Sequence, residues 1–192
     1  MKFAFRPLKE WIVTQKYGAN QVCIDNLTNS KIISCDGNNP PPGYRSVYGP
    51  NGHQALDLRA PEWTRLYVCL GGRVLNTVND SARGLGVDVL HNVGGSWYKS
   101  RYAHMNALDV SVDDQLTTGD LLGYTGNTGI STQSHLHFEI GTCDSAGNNY
   151  IPKDPEQFLY PTFALDAKTV LARVKEQLAI ILNYLADKSR NR

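Results

Sequence analysis

The 192-residue sequence contains no long hydrophobic run. The opening stretch MKFAFRPLKEWIV holds only Phe3-Ala4-Phe5 before Arg6. A secretory signal needs about 7 to 15 consecutive apolar residues, and a membrane-spanning helix needs about 20. We therefore expect a protein that is made in the cytoplasm without a signal peptide. Any role outside the cell would then require another exit route.

The sequence also lacks an excess of charge of one sign. Lys and Arg number 19 against 18 Asp and Glu, which gives a formal net charge of +1. A protein that binds nucleic acid usually carries a basic surface to neutralise phosphates. We therefore expect no nucleic-acid partner. The length favours one domain with an appendage.

Cysteines are few, and none forms a CxxC pair: they are Cys23, Cys35, Cys69 and Cys143. This spacing argues against a zinc site built from thiolates. Cys23 and Cys35 flank a segment that a disulfide could close. In a chain without an export signal, free thiols are the expected state.

Turn residues and short β-prone runs dominate the chain up to Pro161. The region 19–52 contains three successive prolines and several glycines, which indicate a long loop rather than a helix. From residue 54 to about 140 the pattern predicts strands, including a hairpin that turns at Gly94-Gly95. We therefore predict a mainly β fold built on an antiparallel sheet.

After Pro161 the apolar residues change to the 3-4 spacing of an amphipathic α-helix. The positions that follow it are Leu171, Val174, Leu178, Ile181 and Leu185. We therefore predict one domain over 1–161 and a helical extension over 162–192. The helix over 166–188 is too short for a free-standing coiled coil. Docking on the domain or pairing in a homodimer is favoured over attachment to a membrane or cell wall.

The run SHLHFEI places two histidines one residue apart. In a strand, alternate side chains share a face, so His135, His137 and Glu139 lie on one side. The alternate residues, Leu136, Phe138 and Ile140, are apolar and then face the core. Both imidazoles could bind one metal, or one could bind it while the other faces a substrate. Glu139 is either a hydrogen-bond acceptor for a ligand or a solvated carboxylate.

The remaining histidines supply the partners that such a site requires. His53 precedes Asp57 by four residues in GHQALDL, and a straight strand would place them about 13 Å apart. A shared metal therefore requires the chain to curl at His53. We place His104 at the end of the second hairpin strand. His91 lies beside the turn without a polar partner pattern, so we interpret it as structural.

Two histidines and one aspartate around Zn²⁺ leave a fourth position for water. The metal lowers the pKa of that water to about 7. Two further histidines can then take its proton and stabilise charge on a carbonyl oxygen. His53, Asp57, His104, His135 and His137 meet these needs together. The spacing alone does not decide which histidine of the HLH run is the ligand.

The motifs GHQALDL, YAHM, GDLLGYTGNTG and SHLHFEI occur in this order. In this they resemble the lysostaphin/LytM-type zinc metallopeptidases, which are peptidoglycan endopeptidases with an antiparallel β fold. The resemblance implies one zinc ion per chain, with His53, Asp57 and His137 as ligands. It implies His104 and His135 as the catalytic pair, and it extends from about WIVTQKYG to DPEQFL, which is most of the chain.

Two features depart from the family pattern. Ala55 stands where a glycine is usual, and the region 19–52 carries an insertion that would line the cleft. Tyr48 within it could supply a hydroxyl near the carbonyl, as a tyrosine does in some relatives. Neither feature touches a ligand, so the departures bear on substrate preference.

The function expected from the resemblance is zinc-dependent hydrolysis of peptide bonds in peptidoglycan stems or cross-bridges. Without an export signal, we expect a phage- or prophage-type lysin that reaches the wall after release. A cupin-type metal site is a weaker match, since its glutamate would follow the HxH run later than Glu139 does. A non-catalytic zinc-containing protein that binds the wall or regulates another enzyme is the alternative. The five filled positions favour the enzyme.

Overall fold

The computed structural model describes residues 4–18 and 53–159, which belong to one compact unit, Met1–Tyr160. Several predictions fall outside these residues. They are the loop over 19–52, the state of Cys23 and Cys35, the position of Tyr48, and the helix over 166–188 with its proposed contacts. They stay predictions.

Ten strands of the described residues form a single sheet, and every pairing in it is antiparallel. The main path runs β1-β2-β9-β6-β5-β4-β7, while β10 pairs with β9, and β8 pairs with β3 and β6. The bounds are β1 Val13–Gln15, β2 Leu56–Arg59, β3 Arg65–Tyr67, β4 Gly72–Asp80, β5 Gly84–Val93, β6 Ser96–Leu108, β7 Gln115–Leu116, β8 Leu121–Thr125, β9 His135–Thr142 and β10 Ile151–Lys153. The predicted mainly β, antiparallel fold is confirmed.

The longest strands, β5 and β6, form the predicted hairpin. Val93 pairs with Ser96, which leaves Gly94 and Gly95 as a two-residue turn. Their φ angles of 58° and 85° are the left-handed values that a type I′ turn requires at both positions. Glycine adopts them without steric cost. The hairpin places β6 at the centre of the sheet, beside β9.

The core lies on one face of this sheet. Leu136, Phe138 and Ile140 of β9 are fully buried there, as the alternation in SHLHFEI predicts. Phe138 packs against Tyr102 of β6, with ring centroids 5.3 Å apart. Each such side chain contributes roughly 1.5–3 kcal/mol of hydrophobic stabilisation. Burial of this face fixes the register of β9 and therefore directs its odd-numbered residues to the opposite face.

Helical structure within residues 4–18 and 53–159 is limited to a 3-10 helix over Pro155–Gln157, which the Asp154 side chain caps. No helix in this part of the chain has the length and apolar character needed to cross a bilayer.

Candidate metal centre and active site

The face opposite the core carries the predicted site residues. Strand β9 lies between β2 and β6, and its register places Asp57 directly across from His137 on one side. Ala103 of β6 lies across from His137 on the other side. Directly opposed side chains have their Cβ atoms about 4.5–5.5 Å apart. The pairing thus brings together two residues that are 80 positions apart in the sequence.

His53 reaches the same point because the chain does not extend straight into β2. The strand begins at Leu56, and His53 Nε2 lies 3.2 Å from Asp57 Oδ1. The curl that a shared metal requires is therefore present. Strand β1 and the residue after it support this geometry. Thr14 Oγ1 donates to the Asp57 carbonyl at 3.2 Å, and the Lys16 carbonyl lies 3.4 Å from His53 Nδ1.

Three potential ligand atoms form a nearly equilateral triangle. His137 Nδ1 lies 3.0 Å from Asp57 Oδ1 and 3.2 Å from His53 Nε2, and the third side is also 3.2 Å. Tetrahedral zinc with ligand distances of 2.0–2.2 Å separates its donors by about 3.3 Å. The two imidazoles and the carboxylate therefore fit zinc in both chemical type and spacing.

Hydrogen bonds fix which ring nitrogen of each imidazole faces this triangle. A carbonyl or carboxylate oxygen can only accept, so the nitrogen beside it carries the proton. His53 Nδ1 faces the Lys16 carbonyl, and His137 Nε2 lies 3.4 Å from Glu139 Oε1. The opposite nitrogens, His53 Nε2 and His137 Nδ1, then face one position near Asp57, where each presents a lone pair when its imidazole is neutral. Such partners are typical of metal-binding histidines.

The electrostatics of the triangle favour a cation. Burial raises the pKa of Asp57, but the charges of His53 and His135 and hydrogen bonds from His137 and His53 hold it well below its usual range. Burial lowers the pKa of His137, yet Asp57 and Glu139 outweigh it and raise that pKa to about 9. The negative potential of Asp57 that favours a proton at His137 Nδ1 also favours a metal cation there.

His104 and His135 lie beside the triangle. The ring centroid of His104 lies 4.8 Å from that of His135 and 5.5 Å from that of His137. Donor atoms of these three residues also lie within 4.8 Å of one another, so His137 belongs to both clusters. Asp57 Oδ1 is closer to His137 Nδ1, at 3.0 Å, than to His135 Nε2, at 3.6 Å. His137 is thus the histidine of the HLH run that completes the triangle with His53 and Asp57.

The expected place of His104 at the end of its strand is wrong. β6 continues to Leu108, and His104 lies inside it with a φ of 61°. The β6 register with β5 and β8 is irregular in this region, where Met105 pairs with both strands. A bulge of this kind redirects a side chain, and the left-handed conformation is strained for a residue other than glycine.

Both neighbouring imidazoles have one nitrogen fixed by a backbone carbonyl. His104 Nδ1 lies 2.7 Å from the Thr128 carbonyl, and His135 Nδ1 lies 2.7 Å from the Gln133 carbonyl. Each therefore carries its proton on Nδ1 and exposes a lone pair at Nε2. Burial and the charges of His135 and His137 lower the pKa of His104 to about 4, which keeps it neutral at pH 7.

Residues 51–151 match the family model described as Peptidase family M23. The chain belongs to peptidase family M23. The matched stretch contains all five candidate site residues, and it confirms the resemblance to lysostaphin-type peptidases.

Two curated M23 relatives and one solved structure illustrate the match. The peptidoglycan DD-endopeptidase ShyA of Vibrio cholerae is 31% identical over 66% of this chain and 31% of its own length. The DD-carboxypeptidase/endopeptidase Mpg of Neisseria meningitidis is 28% identical over 91% of this chain and 37% of its own length. The chain thus spans less than half of each relative.

The catalytic domain of the antimicrobial peptidase lysostaphin from Staphylococcus simulans has the same fold. It superposes with a TM-score of 0.54 at 20% identity, covering 77% of this chain and 90% of that domain.

The fifth histidine of this M23 domain, His91, lies on the core face. Its Nδ1 donates to the Gly71 carbonyl at 3.1 Å, so its Nε2 must accept, and Ser100 Oγ donates to it at 2.8 Å. Ser100 Oγ lies 3.2 Å from Tyr102 Oη, which accepts from the Cys69 amide at 2.9 Å. Burial lowers the pKa of His91 to about 4. The polar chain is satisfied at both ends, which fits a structural residue.

Sequence reasoning missed the groups that orient the imidazoles. Three are backbone carbonyls, of Lys16, Thr128 and Gln133, which leave no side-chain signal in a sequence. Arg101 was also missed, although it contacts Glu139 with Nη1 to Oε2 at 3.4 Å. Its place on the same face as Ala103 follows from strand alternation, but the pairing with Glu139 requires the β6-β9 register.

Proposed function

We propose that this M23 domain is a zinc-dependent endopeptidase that hydrolyses peptide bonds in peptidoglycan. The observation that carries the proposal is the triangle of His53 Nε2, Asp57 Oδ1 and His137 Nδ1, with sides of 3.0–3.2 Å. Two additional imidazoles, His104 and His135, adjoin it. This combination supplies both a metal site and acid–base groups, which hydrolysis of a peptide bond requires.

The substrate class rests on the relatives. ShyA is named a peptidoglycan DD-endopeptidase, and Mpg is named a DD-carboxypeptidase and endopeptidase. We propose that the present chain acts on the same class of polymer, at the peptide stems or cross-bridges.

His53, Asp57 and His137 would hold the zinc ion. Asp57 contributes the negative charge, while the Lys16 carbonyl and Glu139 keep both imidazoles oriented with their lone pairs inward. When bound, zinc polarises the scissile carbonyl and acidifies a water molecule.

His104 and His135 would move the proton. Each has its Nδ1 proton committed to a carbonyl, so its Nε2 can accept a proton from the attacking water. The protonated imidazole then becomes a donor, either to the carbonyl oxygen or to the departing amine. Because the fixed Nδ1–H bonds set the ring orientation, no reorganisation is needed between these roles.

Digestion of purified sacculi from several bacteria tests the proposal, with mass spectrometry of the released fragments. We expect new amine termini on peptides, abolished by a zinc chelator and restored by added zinc. The fragment masses name the bond. Release of reducing sugar ends, or no release from any wall type, would contradict the proposal.

The non-catalytic alternative predicts a different result. A regulatory or wall-binding protein would bind zinc and sacculi without producing amine termini. All five positions that the enzyme needs are filled, and the two clusters that they form share His137, which favours catalysis. The phage- or prophage-type role stays a prediction, and lysis of intact cells by externally added protein would test it.

A further inference from the structure

Four alternating charges extend from the triangle across the sheet face. Glu139 Oε1 lies 3.4 Å from His137 Nε2, and Glu139 Oε2 lies 3.4 Å from Arg101 Nη1. Arg101 Nε lies 3.5 Å from Asp88 Oδ2, and Arg83 Nη2 donates to Asp88 Oδ1. We call Glu139, Arg101, Asp88 and Arg83 the charge array.

Strand register builds this charge array. Arg101 of β6 lies directly opposite Glu139 of β9 and, on its other side, directly opposite Asp88 of β5. Opposed side chains of opposite charge are close enough to pair. Arg101 therefore bridges two carboxylates from two different strands.

The two carboxylates of the charge array are largely shielded from water, while Arg101 and Arg83 are partly exposed. The Asp88 side chain is 3% exposed and that of Glu139 12%. The Tyr150 ring covers Arg101, with the guanidinium carbon 4.3 Å from the ring centroid. In such surroundings the attraction between charges is stronger than at an open surface, and a charge left without its partner is costly. Removing Arg101 would therefore leave Glu139 and Asp88 without their shared cation.

The charge array contacts both parts of the active site. At one end, Glu139 holds the Nε2 proton of His137. At the other end, the Arg83 carbonyl accepts from the backbone amide of His104 at 2.9 Å. Arg83 is fixed by Asp88 through its side chain, and its backbone amide donates to Asp80 Oδ1 at 2.7 Å.

We propose that Arg101 is a positioning residue for the metal site, acting through Glu139 on His137. With both carboxylate oxygens engaged, Glu139 stays in the rotamer that keeps the His137 proton on Nε2 and its lone pair on Nδ1. This inference rests on the proposed role of His137 as a ligand. It makes metal affinity depend on a residue that does not touch the metal.

The test measures metal binding without substrate. Zinc affinity is determined by competition with a chromogenic chelator, and cobalt(II) reports ligand geometry through its visible absorption. Arg101→Met should weaken zinc binding by about 10-fold, the low end of the 10- to 100-fold loss caused by removing a ligand's direct partner, and should change the cobalt spectrum. Arg101→Lys should restore part of the affinity, since it keeps the charge but not the two-sided contact.

Lys99→Met provides the matched control. Lys99 lies on the same strand, and its Nζ is 4.9 Å from the centroid of the same Tyr150 ring. Its Nζ donates to the Gly147 carbonyl at 2.7 Å, on a different path from Glu139. This variant should lower the thermal midpoint yet keep zinc affinity within about twofold of the parent, which separates general destabilisation from positioning.

Glu139→Gln and the double variant with Arg101→Met complete the test, and they keep it decisive if one single variant fails to fold. If Arg101 acts through Glu139, the two losses in affinity should be clearly less than multiplicative. Unchanged zinc affinity and cobalt spectrum in Arg101→Met, or fully multiplicative losses, would overturn the inference. A parent protein that binds no zinc would instead overturn the proposed function.

Discussion

His91 and His53 are both buried imidazoles of the same domain, with exposures of 0% and 1%, yet their ring nitrogens have different surroundings. His91 lies on the core face, where a carbonyl accepts from one nitrogen and a serine hydroxyl donates to the other. On the opposite face, His53 Nε2 converges with His137 Nδ1 on the carboxylate of Asp57.

The partners of the ring nitrogens distinguish a structural histidine from a candidate metal ligand. A buried polar group with partners on both sides completes a network and adds to stability. His53 Nε2, His137 Nδ1 and Asp57 Oδ1 instead lie within 3.0–3.2 Å of one another, a spacing that one bound cation can share. Burial by itself therefore does not mark a site, but the convergence of potential ligand atoms does.

Removing a proposed metal ligand should have the largest effect on zinc content and activity. His137→Ala should lose bound zinc and lower the rate of amine release by about 10³-fold or more, because metal assistance is worth several kcal/mol. Metal analysis and the sacculus assay measure both. A full complement of zinc in this variant would refute the ligand assignment.

Replacing a neighbouring imidazole should separate catalysis from metal binding. His104→Ala and His135→Ala should each keep zinc while losing about 10²- to 10⁴-fold in turnover, the usual contribution of a general acid or base. Zinc content is measured alongside the rate. Loss of metal in either variant would show that the ligand and catalytic roles are exchanged.

The pH dependence of stability should report the protonation of His91 on the core face. Because the folded-state pKa of His91 is about 4 and the ordinary value is 6.5, the unfolded state takes up this proton first. The neutral His91 ring therefore makes its full contribution to the free energy of unfolding above about pH 6.5. That contribution decreases as the pH falls towards 4, by up to about 3 kcal/mol. Urea unfolding of the parent at several pH values, compared with His91→Gln, isolates it. Equal pH slopes for the two proteins would contradict the assignment.

At neutral pH, His91→Gln should have the smallest effect. The amide can keep one of the two hydrogen bonds, so we expect a loss of about 1 kcal/mol in the free energy of unfolding. Zinc content and activity per folded molecule should match the parent. A loss of zinc comparable to that of His137→Ala would place His91 in the functional cluster after all.

Local patterns were sufficient for much of the fold. The alternation in SHLHFEI predicted which face of β9 enters the core, because burial of Leu136, Phe138 and Ile140 leaves one stable orientation. The glycine pair at 94–95 predicted the hairpin, because few other residues accept left-handed angles at two successive positions. Motif order and resemblance also nominated the five candidate site residues, which the fold brings close together.

The amino-acid sequence alone specified which reactive groups this protein has. They are five histidines, an aspartate in a short strand, and the SHLHFEI run, whose alternating side chains face opposite sides of the sheet. The tertiary structure alone decided how these groups meet. Asp57 faces His137, and Arg101 faces both Glu139 and Asp88, because of strand register between segments distant in sequence. The bulge at His104 likewise depends on two neighbouring strands at once. Such pairings follow from packing of the whole sheet, so no local window of residues contains them.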